Sequence, residues 1–363
     1  MPNPSASAST GDQPFWLAAE SARALLARLF AAAGVPAPAA RTMGEALIEA
    51  DLEGLPSHGI LQAEVYLDRL RLGSVSPNDS AELILDRGAT AVLDGHHMLG
   101  HLVASQAMGL AIAKAKQFGT ATVSVRHAFH FGSAGRYVRQ AAAAGCIGIA
   151  MCNSRPVMPA PGGAQKLVGT NPLAFGIPTR AEPPIIVDMA TSAGTVGRLR
   201  VAQKAGTEIP AGWAVDSDGA PTTDANAALD GMLLPMGGPK GFGLALVIDM
   251  MSGLLASGGW GDSISGLHGD LTKPFDTAHL FMAINIEHFR PLDGFLDEAQ
   301  TAATRVRTSK RAPGVDRVRT PGEGRWDAAR NSDGRVRLEP KQVAGLRRLS
   351  QHFGVEAGEL PAA

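Results

Sequence analysis

Residues 121–152 decide the fold. Ala121-Thr-Val-Ser-Val125 reads as a strand, His127-Ala-Phe-His-Phe-Gly-Ser-Ala-Gly135 as a junction of small residues, 134–145 as a helix and Ile147-Gly-Ile-Ala-Met-Cys152 as a second strand. Strands alternating with helices mark an α/β chain. Upstream, 101–118 is a helix of Ala, Met, Leu and Lys, and Leu83-Ile-Leu85 with Ala91-Val-Leu93, each followed by Asp/Gly turn signals, predict a hairpin of strands. Residues 15–55 carry Leu25, Leu26, Leu29, Leu47 and Ile48 at helical spacing, broken at Gly34-Val-Pro-Ala-Pro38, which predicts two helices joined by a turn. Downstream, 153–230 is punctuated by prolines and glycines, and one strand stands out there, Pro184-Ile-Ile-Val-Asp188. A long apolar helix over 241–260, a strand over 280–286, a basic surface helix over 301–319 and a last helix over 339–354 capped at Gly354 complete the reading.

Composition bounds the function. The 363 residues correspond to two or three domains at ~150 residues each. Lys and Arg number 33 against 34 Asp and Glu, a formal net charge of −1, and a phosphate-tracking surface needs clustered positive excess, so nucleic acid is excluded as the main partner. With 43 Gly and 24 Pro against 12 Phe, 4 Trp and 2 Tyr, the chain is rich in tight turns and poor in stacking platforms. Residues 1–14 lack the basic and apolar regions of a signal peptide and read as a disordered tail. Cys146 and Cys152 form neither a disulfide framework nor a CxxC pair, which fits a reducing cytoplasm. The apolar run 241–260 is long enough to span a bilayer, but it holds Asp249 among glycines and serines and reads as a buried helix, so no membrane partner is expected.

No GxGxxG and no GxxxxGK[ST] occurs. Gly237-Gly-Pro-Lys-Gly-Phe-Gly243 has the wrong spacing for a Rossmann turn, yet it puts a Lys and free backbone N–H groups at a helix start; an anion site and a packing turn both remain open. His96, His97 and His101 have no carboxylate or Cys within their stretch, and their i, i+1, i+5 spacing does not share a helix face, so no metal is expected there. His58, in Leu55-Pro-Ser-His-Gly59, places an imidazole at a sharp turn suited to proton transfer. His130 stands at a strand-to-helix junction, followed by small residues that admit a ligand close to the backbone. Either histidine alone reads equally well as structural.

Their succession decides more. Ser57-His58-Gly59, His130-Phe131-Gly132, Gly169-Thr-Asn-Pro172, Asp188-Met-Ala-Thr-Ser192, Gly238-Pro-Lys-Gly-Phe-Gly243 and Pro321-Gly-Glu-Gly-Arg325, in that order, closely resemble the malate/L-lactate/sulfolactate dehydrogenase family of NAD(P)H-dependent oxidoreductases without a Rossmann fold. The resemblance runs from about residue 15 to the C-terminus. It implies an α/β, non-Rossmann dinucleotide-binding mixed-sheet fold of the L-sulfolactate dehydrogenase type, with a helical part from both termini and assembly as a homodimer. The organisation expected is a tail over 1–14, a helical domain from 15–80 with 290–363, a central α/β domain from 81–125 with 230–289, and a cofactor-binding domain over 126–229. The activity implied is hydride transfer between NADH or NADPH and a small 2-oxo or 2-hydroxy acid. Reduction of a cyclic imine 2-carboxylate, or a non-catalytic cofactor-binding relative, are the alternatives.

The resemblance assigns roles position by position. His58 moves the proton at the carbon being reduced and Ser57 orients it. His130, Phe131, Gly132, Ser133, Ala134, Thr170, Asp188, Met189, Ala190, Lys240 and Gly241 look like dinucleotide contacts, with Pro321, Gly322, Glu323 and Arg325 closing over it. His130 is also a second candidate for acid/base work. Two positions depart from the family pattern. Gln62 stands where relatives carry an Arg that would hold the substrate carboxylate, a charge-assisted contact worth roughly 1.5–3 kcal/mol. Either Arg155 or another cation replaces it, with Thr170 a further substrate contact, or the substrate presents something other than a carboxylate there. Arg198 stands where relatives carry Lys, or Asp in the imine reductases; this favours the 2-oxo acid branch, with Arg198 electrostatic or outside the chemistry.

Overall fold

Leucines three and four apart build the first helical pair. β1 (Phe15–Ala18) leads into α1 (Ala19–Ala32), and after a turn at Gly34 (φ +93°) α2 (Ala37–Leu52) returns against it. Leu25, Leu26, Leu29 and Phe30 bury against Met43, Leu47 and Ile48, and the backbones approach closely because Gly44 lacks the Cβ that would meet the Arg23 carbonyl at 2.7 Å. A computed structural model describes residues 13–361, so nearly all of the tail expected over 1–14 lies outside the described residues. α3 (Ala63–Leu72) ends the N-terminal part.

The hairpin follows as β2 (Glu82–Arg87) and β3 (Thr90–Asp94), then α4 (Gly100–Phe118), β4 (Thr120–Ala128), α5 (Gly135–Ala143) and β5 (Cys146–Cys152). The turn-rich middle adds β6 (Leu173–Ile177), β7 (Ile185–Met189), α6 (Val196–Ala205), β8 (Ala214–Val215), β9 (Pro221–Thr222), α7 (Ala225–Asp230) and β10 (Met232–Leu233). Of these only β7 was expected; β8, β9 and β10 are two residues each, and α6 buries only Leu199 and so shows no apolar stripe. α8 (Pro239–Asp249), β11 (Thr277–Asn285), α9 (Leu292–Arg307), α10 (Glu323–Arg330), β12 (Arg335–Leu338) and α11 (Pro340–Phe353) close the chain. β12 pairs antiparallel with β1, and Gly354 caps α11 at φ +65°, as expected.

The chain divides into two compact units, residues up to 71 with those from 327 on, and Leu72–Trp326. The second holds a seven-stranded sheet in the order β2-β3-β4-β11-β5-β6-β7, in which only β3 and β4 run parallel. The mixed sheet expected from the sequence is therefore present, and a doubly wound parallel sheet is not. β11 slots antiparallel between β4 and β5, with Leu280 opposite both Ser124 and Met151. Along β11 the side chains alternate: Phe281 packs with Tyr137 of α5, while Leu280 joins Met151, Leu173 and Ile248 on the α8 face. α5 lies directly on β5 and β6 because a Cβ at Gly148 would meet Ala141 Cβ at 2.6 Å, and one at Gly176 the Val138 carbonyl at 2.4 Å. A second core gathers Met158, Val168, Leu199, Ile209, Ala228 and Leu233 around the small sheet β10-β8-β9.

Two expected helices are shorter than read. The apolar run begins its helix at Pro239, passes through a π-helical stretch at Met250–Leu254 and ends before Ser257, whose φ of +53° turns the chain. Asp249 is buried there because it accepts from Asn153 Nδ2 (2.9 Å) and the Gly261 N–H (3.2 Å). No helix among the described residues is long and apolar enough to cross a membrane. The basic stretch 301–319 is helical only to Arg307; beyond it the chain folds back so that Arg307 and Arg317 both reach Glu323.

Candidate active site

α2 ends on Asp51 and Leu52, and the chain turns through Gly54 (φ +75°) into two single 3₁₀ turns, Pro56–His58 and Ile60–Gln62. Ser57 Oγ lies 2.9 Å from His58 Nδ1, which fixes the imidazole. Asp51 clamps this turn: its Oδ2 accepts the Ile60 N–H at 2.7 Å. A Cβ at Gly59 would stand 2.2–2.4 Å from the Asp51 carboxylate, so only glycine leaves room for the clamp. Burial pushes the Asp51 carboxyl up to about 7, against the downward pull of the Ile60 N–H. Gln62 is 6% exposed, and its Nε2 donates to the Ser57 carbonyl at 2.6 Å. Sequence reading named Ser57, His58 and Gln62 but missed Asp51; an acidic residue in the last turn of an apolar helix just before the histidine turn was the available signal.

In the second unit the junction between β4 and α5 carries His130, Phe131, Gly132, Ser133 and Ala134. Gly132 (φ +73°) passes over His101, whose Nε2 would lie 2.4 Å from a Cβ there. Phe131 is buried, its ring 4.6 Å from that of His279 and 5.2 Å from that of Tyr137, and so anchors the loop from below. His279 itself is fully buried, and that burial holds its pKa down at about 3, keeping the ring neutral. Ala134 is buried at the N-cap of α5, and the His130 ring stands edge-on to Phe275 with centroids 6.4 Å apart.

Asp188, at the end of β7, draws the junction together. Its Oδ2 accepts from Ser133 Oγ (2.7 Å), the Gly135 N–H (3.1 Å) and Arg325 Nη1 (2.7 Å). Met189 pairs with Leu173 across the sheet, Ala190 follows it, and the Thr170 carbonyl accepts both the N–H and the Oγ of Thr191 at 2.9 Å. Pro321 accepts the Ile186 N–H, and Gly322 (φ +84°) lies against Ile186. The fold thus brings Ser133, Asp188 and Arg325 into one hydrogen-bonded group.

Glu323 is committed to its own chain. It is 1% exposed and takes the Thr320 N–H and Oγ (2.9 Å each), Arg307 Nε (2.9 Å) and Arg317. Burial alone would raise its pKa, but the Thr320 and Arg307 contacts win and hold it at about 2. Gly241 is a packing glycine, its Cβ position 2.2 Å from the Met236 carbonyl, whereas Lys240 beside it is exposed. Before them, Gly237 and Gly238 line a cleft of about 370 Å³ at the start of α8, with Pro161, Gly162, Ala193 and Leu234. Arg155 is exposed and lies against Gly266; Arg198 stacks over Trp213 at 5.6 Å. Among the described residues, no group of three or more His, Cys, Asp or Glu side chains is placed to hold a metal ion.

Residues 17–347 match the family model described as malate/L-lactate dehydrogenase. The chain belongs to the malate/L-lactate dehydrogenase family. It is 38% identical over 304 residues to the malate dehydrogenase of Pyrococcus abyssi, covering 82% of this chain and 83% of the relative. It is 39% identical over 292 residues to the L-sulfolactate dehydrogenase of Methanocaldococcus jannaschii, covering 80% and 83%. A solved structure of sulfolactate dehydrogenase from that organism superposes with a TM-score of 0.91 at 33% identity, covering 95% of this chain and 99% of the other. Within the malate/L-lactate dehydrogenase family, relatives named for NAD+ and for NADP+ both match.

The clamp has a measurable pH signature. A carboxyl raised from 3.8 to about 7 in the folded chain keeps a proton that the unfolded chain releases, so its contribution to stability falls as pH rises through that window. Asp51→Asn accepts the same N–H without that titration. Denaturant unfolding should show Asp51→Asn gaining on the wild type as pH goes from about 4 to about 8. A pH-independent difference would contradict the assignment.

Proposed function

We propose that this chain is an NAD(P)-dependent dehydrogenase that interconverts a small 2-oxo acid and its 2-hydroxy acid, with His58 as the proton donor and acceptor. The observation that carries the reading is the 2.9 Å contact between Ser57 Oγ and His58 Nδ1 on a turn locked by Asp51. A hydroxyl on Nδ1 sets the ring's orientation and makes Nε2 the nitrogen that serves the substrate. In reduction His58 delivers the proton that the carbonyl oxygen takes up as it becomes a hydroxyl; in oxidation it withdraws the same proton. An imidazole does both near neutral pH, which suits a reversible reaction.

The chain's residues fit a dinucleotide. Gly162, Gly237 and Gly238 all have left-handed φ, nothing lies within 4 Å of their Cβ positions, and they leave bare backbone along the cleft at α8. Lys240 and Arg325 supply the cations that phosphates need, and Ser133, Thr170, Met189 and Ala190 complete the contacts we assign to it. When bound, NADH or NADPH supplies the hydride; this chain binds, orients and moves the proton. On this reading the bonds of Asp188 with Ser133, Gly135 and Arg325 hold Ser133 and Arg325 in place for the cofactor.

We further propose a homodimer. α8 and its π-helical continuation turn Leu244, Val247, Met250 and Leu254 outward at 40–50% exposure, with spacings of three and four that make one continuous apolar stripe. A second copy of the same stripe is self-complementary.

Two measurements test this reading. His58→Ala should lower kcat by about 10²–10⁴-fold on an accepted 2-oxo acid while reduced-cofactor fluorescence still reports binding; wild-type turnover in that variant contradicts the role. Light scattering should give a dimer for the wild type and a folded monomer for Val247→Asp with Leu254→Asp. A wild-type monomer removes the dimer proposal.

A further inference from the structure

Gln62 holds an acceptor that no described residue uses. The residue is 6% exposed, its Nε2 is held on the Ser57 carbonyl, and its Oε1 is shielded from solvent without a hydrogen bond from any described residue. A carbonyl can only accept, so the contact with Ser57 fixes the amide: nitrogen toward Ser57, oxygen away from it. Buried acceptors are ordinarily satisfied, and one left open beside a catalytic turn is an invitation to a ligand's donor. Ser57 and His58 are that turn, so the open acceptor belongs to the part of the chain that meets substrate.

The geometry points to Gln62 as a specificity-determining residue, which places an uncharged hydrogen-bond donor of the substrate, a hydroxyl or a carboxamide, where a carboxylate or sulfonate is disfavoured. This rests on the dehydrogenase reading above and names its substrate class: 2-oxo acids carrying a neutral N–H or O–H group. An anionic oxygen facing Oε1 would set lone pair against lone pair. The other polar side chain that grips this turn, Asp51, is itself a carboxyl and adds no positive charge. Discrimination by a buried hydrogen-bonding group is steep, because the wrong partner leaves that group unpaired.

The test is initial-rate kinetics of reduced-cofactor oxidation by the full-length wild type, Gln62→Met and Gln62→Arg on pyruvate, oxaloacetate, 3-hydroxypyruvate and 2-oxosuccinamate. The wild type should favour at least one of the two donor-bearing acids over oxaloacetate by about tenfold or more in kcat/KM, mostly through KM. Gln62→Met should reduce the ratio of that acid to pyruvate by a similar factor, and Gln62→Arg should move the preference to oxaloacetate. A wild type that prefers oxaloacetate, or a preference unchanged in both variants, overturns the inference and leaves the dehydrogenase reading standing. Turnover of none of the four acids by the wild type contradicts the dehydrogenase reading, and the inference falls with it. If a variant fails to fold, as thermal unfolding would report, the wild-type ranking decides.

Discussion

One carboxylate oxygen organises the second unit. Asp188 Oδ2 receives the Ser133 hydroxyl and the Gly135 N–H from the β4–α5 junction, and the guanidinium of Arg325, 137 residues further along the chain. It does so at the amino end of α5, where unpaired N–H groups and the helix dipole favour negative charge. In a Rossmann enzyme a phosphate takes that place. Here the chain's own Asp188 occupies it.

The sheet supports the same junction. β11 enters between β4 and β5 from far downstream and brings His279 and Phe281 beneath the loop, where they pack on Phe131. Gly148 and Gly176 let α5 settle onto the sheet, which sets the height of its amino end and hence of Asp188 and Ser133. In the first unit a carboxyl plays a parallel part: Asp51 grips the Ile60 N–H and leaves room only for glycine at 59. Both units use one buried or half-buried acid to hold an otherwise irregular stretch of backbone in a single shape.

Much of this is legible in the sequence where periodicity is long. The helices over 15–55 and 101–118, the hairpin near 83–93 and the strand–helix–strand core announce themselves through leucine spacing or apolar alternation. The two-residue strands do not, because so few residues carry no period, and α6 does not, because it buries only Leu199 and shows no apolar stripe. The insertion of β11 between β4 and β5 is a pairing across more than a hundred residues, which local pattern cannot encode. The six motifs contain Ser57, His58, Asp188 and Arg325, and the resemblance adds Ser133, but neither shows that Ser133, Asp188 and Arg325 bond to one another. Asp51 escaped notice because a single acid at a helix end looks like ordinary solvated charge until Gly59 is seen to make space for it. Glu323 and Phe131 show the converse: their motif positions are real, yet the carboxylate is saturated by Thr320, Arg307 and Arg317, and the ring is sunk in the core.

On the proposed reading, Asp188 shapes a dinucleotide surface without a Rossmann turn. The most direct measurement is a titration of NADH and of NADPH, followed by reduced-cofactor fluorescence, into the wild type and Asp188→Asn. At least one cofactor should saturate the wild type, and its Kd should rise about tenfold or more in a variant that still unfolds cooperatively. Equal affinity in the two proteins, or no binding of either cofactor by the wild type, would contradict the claim.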